Sequence, residues 1–278
     1  MVRIVSDSST LYSPQQAREA GFAVSPLSVT IAGKSYREFA EISAREFVDI
    51  IRQGHMPTSS QPAIGEVAAL YEEFAGEEIL NIAMADGLSG TYRSAVAAAE
   101  MGENGEHVTV VNTRTLCGPH RYMVQKCVEM AKNGASLEEI LSWLNQRMDS
   151  AKSFLMPEDF DYLRRGGRLS PLVSHVGKLA GLVPVMTQTE DGCRLTVASI
   201  RRGFPAAVKY VAELLKKKGI GEGWRVYIAH AAEADKVEFT EKKLREALPG
   251  AAIEVVDLSP AFITQGGPGC LAVQYVME

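Results

Sequence analysis

Short, nearly continuous apolar runs separated by capped amphipathic segments set the pattern of the first half of the chain. Residues 2–5, 79–85 and 108–111 are runs of strand length with few polar interruptions, as expected of strands buried on both faces of a parallel sheet. Between the first two, Ser13-Pro14-Gln15-Gln16 supplies an N-cap, a proline for the first helical turn and a capping-box glutamine. This predicts a short helix that ends near Gly21. Ser43 with Glu46 repeats the signal and predicts a helix through Ile51 that stops at Gly54, and a further helix is expected over 65–74. An alanine-rich helix over 94–101 follows the turn at Asp86-Gly87. A helix over 121–132 closes at Asn133-Gly134, and Ser136 with Glu139 opens another through Met148. Strand and helix alternate throughout, which predicts a doubly wound α/β domain over residues 1–150.

Past about residue 150 the pattern changes. Runs at 182–186, 194–200, 225–229, 253–258 and 271–276 read as strands, but only two long helices intervene, over 205–218 and 234–248. Strands that follow one another without a helix must pair antiparallel, so residues 151–278 are expected to form a smaller α+β domain. There is no internal repeat and no low-complexity tract.

Composition narrows the function classes. The 278 residues carry 29 basic and 34 acidic side chains, a net charge of −5, so no basic excess draws the chain to nucleic acid. The four cysteines, at 117, 127, 193 and 270, include no Cys-x-x-Cys pair and no histidine at ligand spacing, which fits reduced thiols better than a zinc site. The start of the chain, MVRIVSDSST, has no basic and apolar leader pattern, and no run approaches the roughly 18 apolar residues of a membrane span. The reading is a cytoplasmic protein with no stable membrane insertion.

Several polar loops could carry chemistry. Asp86-Gly87-Leu88-Ser89-Gly90-Thr91 joins a buried strand to a helix, so Ser89 is expected at a helix N-terminus, where unpaired backbone N–H groups receive anions; equally, it could only cap that helix. Ser6-Asp7-Ser8-Ser9 follows the first strand in the same way, on the sheet edge where α/β proteins bind ligands, although Asp7 and Ser8 are also ordinary turn residues. Thr58-Ser59-Ser60-Gln61-Pro62 reads as a third polar loop. Arg165-Gly166-Gly167-Arg168-Leu169-Ser170 combines close-approach glycines with a guanidinium able to balance a buried negative charge, or is a solvated linker. Gln265-Gly266-Gly267-Pro268-Gly269 is a tight loop before the last strand. The histidines at 55, 107, 120, 175 and 230 are scattered, with no triad or metal pattern, and the Gly-x4-Gly-Lys signature of ATP-binding loops is absent.

Taken in order, Ser6-Asp7-Ser8-Ser9, Ser59-Ser60-Gln61-Pro62, Leu88-Ser89-Gly90-Thr91-Tyr92, Arg165-Gly166-Gly167-Arg168-Leu169-Ser170 and Gly267-Pro268-Gly269 resemble the signature blocks of the DegV family across nearly the whole chain. The resemblance implies an α/β fold of two domains, an amino-terminal domain with a mostly parallel sheet and a smaller α+β domain, with a long-chain fatty acid held between them. It also implies a non-catalytic role without cofactor: presenting the carboxylate to a separate ATP-dependent fatty acid kinase catalytic subunit, which makes the acyl phosphate for phospholipid synthesis.

Carried over residue by residue, the resemblance places the carboxylate on Ser89, Ser59, Arg168 and Gln265, with Ser8, Ser60, Gly90, Thr91, Gly166, Gly167 and Gly267 in the supporting loops. Two positions depart from the family pattern. Ser59 stands where threonine is usual, and Gln265 stands where histidine is usual, so a donor survives there but not a group that gains charge near neutral pH. Apolar residues over 171–185, including Leu172, Val173, Val176, Leu179 and Leu182, could line the acyl tunnel or form an ordinary core helix. Two other classes stay open: a small-molecule hydrolase with Ser89 as nucleophile, and a lipid sensor or adaptor without kinase coupling.

Overall fold

The computed structural model describes residues 1–171, 173, 181–231 and 234–278 and divides into two compact units, Met1–Asp149 with Ser259–Ala261, and Ser150–Leu258 with Phe262–Glu278. The return of Ser259–Ala261 to the first unit was not foreseen from sequence.

The first unit runs β1 (Arg3–Asp7), α1 (Pro14–Ala20), β2 (Ala23–Ser25), β3 (Ser28–Ile31), β4 (Lys34–Arg37), α2 (Ala44–Arg52), β5 (Thr58–Ser60), α3 (Ile64–Glu72), β6 (Ile79–Ala83), α4 (Thr91–Met101), β7 (Val108–Asn112), α5 (Cys117–Lys132) and α6 (Leu137–Met148). β2, β1, β6 and β7 form a parallel sheet in that order, with Arg3 opposite Ile79 and Ile79 opposite Val108. The predicted capping boxes form at Ser13/Gln16, Ser43/Glu46 and Ser136/Glu139, where each serine accepts the third backbone N–H while the partner side chain reaches back. Val5, Ile79 and Ala95 pack with Val67, Leu70 and Tyr71 of α3 to close one face of the sheet.

Sequence reasoning missed a small antiparallel sheet, ordered β4, β3, β5. Thr58–Ser60, expected as loop, is its edge strand, with Ser59 opposite Val29. Its three polar residues have neither the length nor the alternation that marks a strand, so pairing to β3 decides the conformation.

The second unit runs β8 (Lys152–Met156), α7 (Phe160–Gly166), β9 (Leu182–Gln188), β10 (Leu195–Arg202), α8 (Phe204–Lys217), β11 (Trp224–His230), α9 (Ala234–Ala247), β12 (Ala252–Asp257), α10 (Pro260–Gly266) and β13 (Leu271–Met277). Its six strands lie in the order β10, β9, β8, β13, β11, β12. Every pairing is antiparallel except that of β11 with β12, which α9 connects as a crossover helix. The α/β class with a parallel first sheet and an α+β second unit is therefore as predicted. Val208, Val211 and Leu215 of α8 pack on Phe154, Val226 and Val273 in its core. Among the described residues no helix is long and apolar enough to cross a membrane.

Candidate functional site

Two groups of predicted site residues form, one in each unit. In the first unit, the turn after β1 is held from below by Asp7, whose carboxyl accepts Ser9 N–H at 2.9 Å through one oxygen and Met84 N–H at 2.9 Å through the other. The loop is thus tied to the end of β6, and Ser8, Ser9 and Thr10 are fully buried. Ser8 Oγ accepts Leu27 N–H at 2.8 Å and donates to Glu38 Oε1 at 2.5 Å. Ser9 Oγ lies 2.6 Å from His120 Nδ1, and the other ring nitrogen lies 3.0 Å from the Ile82 carbonyl. A carbonyl only accepts, so the ring proton sits on Nε2 and Ser9 donates to Nδ1. Burial pushes the His120 pKa down, which keeps the ring neutral.

Ser89, Gly90 and Thr91 form the second loop of this unit. Gly90 is the N-cap of α4, and Ser89 sits one residue before it, half-buried. Ser89 Oγ lies 2.8 Å from Thr91 Oγ1 and accepts Thr91 N–H at 3.3 Å, a pair of hydroxyls at the positive end of a helix. Among the described residues the side chain bonded to Ser89 Oγ is the Thr91 hydroxyl, which is no general base for the hydrolase reading. Gly90 also admits a neighbour: a Cβ there would stand 3.1 Å from the Gln61 side-chain amide. The Ser59-Ser60-Gln61 segment is in this way brought against the Ser89 loop, with Ser59 half-buried and Ser60 exposed. Ser8 is bonded to Glu38 instead.

In the second unit, α7 ends in Gly167, left-handed at φ +70°, and Arg168 turns back so that Nη1 donates to the Gly166 carbonyl at 2.5 Å. Gly166 is crossed so closely by Gln265 that a Cβ would lie 1.9 Å from Gln265 Oε1. Gly267, at φ +77°, sits on the Tyr162 ring, with a Cβ position 2.8 Å from it. The Arg-Gly-Gly-Arg block and the Gln265–Gly267 loop, about 100 residues apart in sequence, therefore form one cluster around α7. Tyr162 was not foreseen; burial raises its hydroxyl pKa.

Of the proposed tunnel residues, Val173 is buried among Leu163, Leu169 and Met186 and Leu182 is 38% exposed, whereas Leu172, Val176 and Leu179 lie outside the described residues. Among the described residues no group of three His, Cys, Asp or Glu side chains is placed to hold a metal ion. Glu38 and the Ser9–His120 pair were missed from sequence, since each forms between residues 30 or more positions apart.

A sequence model described as "Uncharacterised protein, DegV family" matches residues 1–278. A DegV domain-containing protein of Staphylococcus aureus (strain N315) is 31% identical over 273 residues, 97% of this chain and 96% of its own. Among solved structures, a DegV family protein from Thermus thermophilus, described by its fatty acid binding, superposes with a TM-score of 0.89 at 28% identity and covers 100% of this chain and 99% of its own. DegV from Bacillus subtilis, described as a fatty acid binding protein, gives 0.86 at 27% identity over 100% and 99% of the two chains. Sequence blocks, fold and full-length relatives agree: the chain belongs to the DegV family.

Proposed function

We propose that the chain binds a long-chain fatty acid without transforming it and presents the carboxylate to a separate ATP-dependent fatty acid kinase catalytic subunit. The observation that carries the reading is the Ser89–Thr91 hydroxyl pair at the start of α4, packed against Gln61, in a chain whose relatives from Thermus thermophilus and Bacillus subtilis are described as binding fatty acids. A carboxylate entering such a loop loses water and needs replacement donors, which Ser89, Ser59 and the helix N-terminus supply in kind. Arg168 and Gln265, clustered in the second unit, are assigned to the same head group, with Ser8, Ser60, Gly90, Thr91, Gly166, Gly167 and Gly267 shaping the loops.

The test is mass spectrometry of an organic extract from protein purified without added lipid, followed by calorimetric titration of the delipidated chain with C14 to C18 acids. Stoichiometric acid and a saturable titration are expected. A protein that carries none and takes up none refutes the binding role. Acyl-phosphate formation on adding a kinase catalytic subunit and ATP tests the second half of the proposal.

A further inference from the structure

Glu38 follows β4 in a stretch, Arg37-Glu38-Phe39-Ala40-Glu41, that reads as exposed and charged, yet its side chain is fully buried. Its neighbours Arg37 and Glu41 pair with each other at the surface. Inside, Glu38 Oε1 meets Ser8 Oγ at 2.5 Å and Oε2 accepts the N–H of Ala261 at 2.8 Å, and Ser259 is fully buried. The backbone is fixed too: Glu38 N–H donates to Leu27, and Phe39 is held left-handed at φ 62°, a conformation that costs a non-glycine residue energy. The surrounding structure thus over-determines where this carboxyl points. Ala261 belongs to the three residues that return to the first unit, and α10, which begins there, leads to Gln265 and Gly267.

We propose that Glu38 is a positioning residue: in its neutral form it clamps Ser259–Ala261 onto the Ser8 loop and so fixes the root of the helix that carries Gln265.

The hydrogen bonds to the carboxyl come from donors and favour its ionised form, whereas burial, the larger effect, and Asp7 favour the neutral one. Oε2 accepts a backbone N–H and has no room there for a proton, so a proton, when bound, sits on Oε1, and the Ser8 contact reverses, with Ser8 Oγ then accepting. Both bonds of the clamp are then kept with no charge in the core. On ionisation Ser8 and Ala261 both donate to the carboxylate, and among the described residues the charged group that acts on it is Asp7, which is acidic and opposes ionisation. Ser259 and Ala261 bring only a hydroxyl and an amide to the cluster, and His120, behind Asp7, is kept neutral by burial. Burial pushes the Glu38 pKa up to about 7. Above that pH, release of the clamp lets water reach the carboxylate.

The consequence for acid binding rests on the function proposed above; the clamp itself does not. The test is hydrogen exchange of residues 258–266 in the full chain without ligand, at pH 6 and pH 8.5, corrected for intrinsic exchange. A carboxyl that titrates at about 7 when clamped and at 4.5 when hydrated makes opening about tenfold more favourable across this interval. Glu38→Gln places its amide oxygen on Ala261 and its NH2 on Ser8, the pattern of the neutral acid, and is expected to hold protection level at both pH values. Glu38→Ala is expected to lose protection at both. Unchanged protection in the unsubstituted chain, or a tenfold loss that persists in Glu38→Gln, overturns the proposal and leaves the fatty-acid reading untouched. Failure to bind any acid would remove the consequence but not the clamp.

Discussion

Gly166→Ala is a perturbation that separates the proposed site from the fold. The new methyl would stand 1.9 Å from Gln265 Oε1 and 3.1 Å from its Cδ, so the Gln265 side chain must leave its place. Nothing else needs to shift: the backbone of Gly166 is not in the left-handed region, and the clash is with the far end of a flexible side chain. Alanine at the last turn of α7 gains up to about 1 kcal/mol of helix propensity, which offsets the cost of a new Gln265 rotamer. Stability should change by less than about 1 kcal/mol. A lost hydrogen bond to a charged group is worth about 1.5–3 kcal/mol, so the dissociation constant for a fatty acid should rise roughly 10- to 150-fold. Urea denaturation and calorimetric titration read the two quantities separately. Unaltered affinity with unaltered stability would refute the assignment of Gln265 to capture of the head group. Gly267→Ala is the control with the opposite signature: φ +77° and the Tyr162 ring at 2.8 Å make it destabilising by about 1–3 kcal/mol, visible in denaturation before any ligand is added.

Ser89→Ala removes one hydroxyl of the Ser89–Thr91 pair from a half-buried position, so affinity for a fatty acid should fall about tenfold or more with the denaturation midpoint unchanged, as titration and melting would show. Asp7→Asn turns one acceptor into an NH2 that must face Ser9 N–H or Met84 N–H, and chemical denaturation should report a loss of about 2–4 kcal/mol. The pH profile of stability follows from two buried groups of opposite sign. Glu38 binds its proton more tightly when folded, so its contribution is complete below pH 4.5 and is lost as pH rises to about 7; His120 binds its proton less tightly when folded, so its contribution is complete above pH 6.5 and is lost as pH falls. The two slopes oppose each other between pH 4.5 and 6.5, and Glu38→Gln should therefore expose the His120 slope, with stability that rises over this interval in urea titrations. If the chain binds a fatty acid as proposed, an acyl-chain series should change affinity about 10- to 15-fold for each two methylenes that are buried.

The parts legible in sequence were those governed by local rules. Serine followed three residues later by glutamine or glutamate fixed three helix starts, and the apolar runs of β6 and β7 had one compatible environment, the interior of a parallel sheet. Local rules failed where a partner distant in sequence decides the outcome. Thr58–Ser60 is a strand because β3 offers it hydrogen bonds, and Glu38 is buried because Ser8 and Ala261, 30 positions before it and 223 after it, supply donors. The glycines of the Arg165 block signalled a close approach, but not that Gln265 is what approaches Gly166. His120 looked isolated because Ser9 lies 111 positions away.

The magnitudes also decide what each kind of variant can establish. Sequestering about 14 methylenes at roughly 0.8 kcal/mol each gives on the order of 11 kcal/mol before the cost of immobilisation, several times the 1.5–3 kcal/mol of a head-group hydrogen bond. Under the proposed function the acyl chain would therefore supply the affinity, and the donors assigned to the head group, Ser89, Ser59, Arg168 and Gln265, would supply orientation. Removing one of them should weaken binding without abolishing it, so a variant such as Ser89→Ala locates the carboxylate and says nothing about the class of ligand. The converse holds for presentation to a kinase: a phosphoryl acceptor must be held within a fraction of an ångström of its reacting geometry, and a loose head group would lose transfer long before it lost binding. Glutamine at 265, a neutral donor pinned against Gly166, is then best judged by the ratio of transfer rate to affinity. A change in that ratio on Gly166→Ala would assign Gln265 to presentation, and a change in affinity alone would assign it to capture.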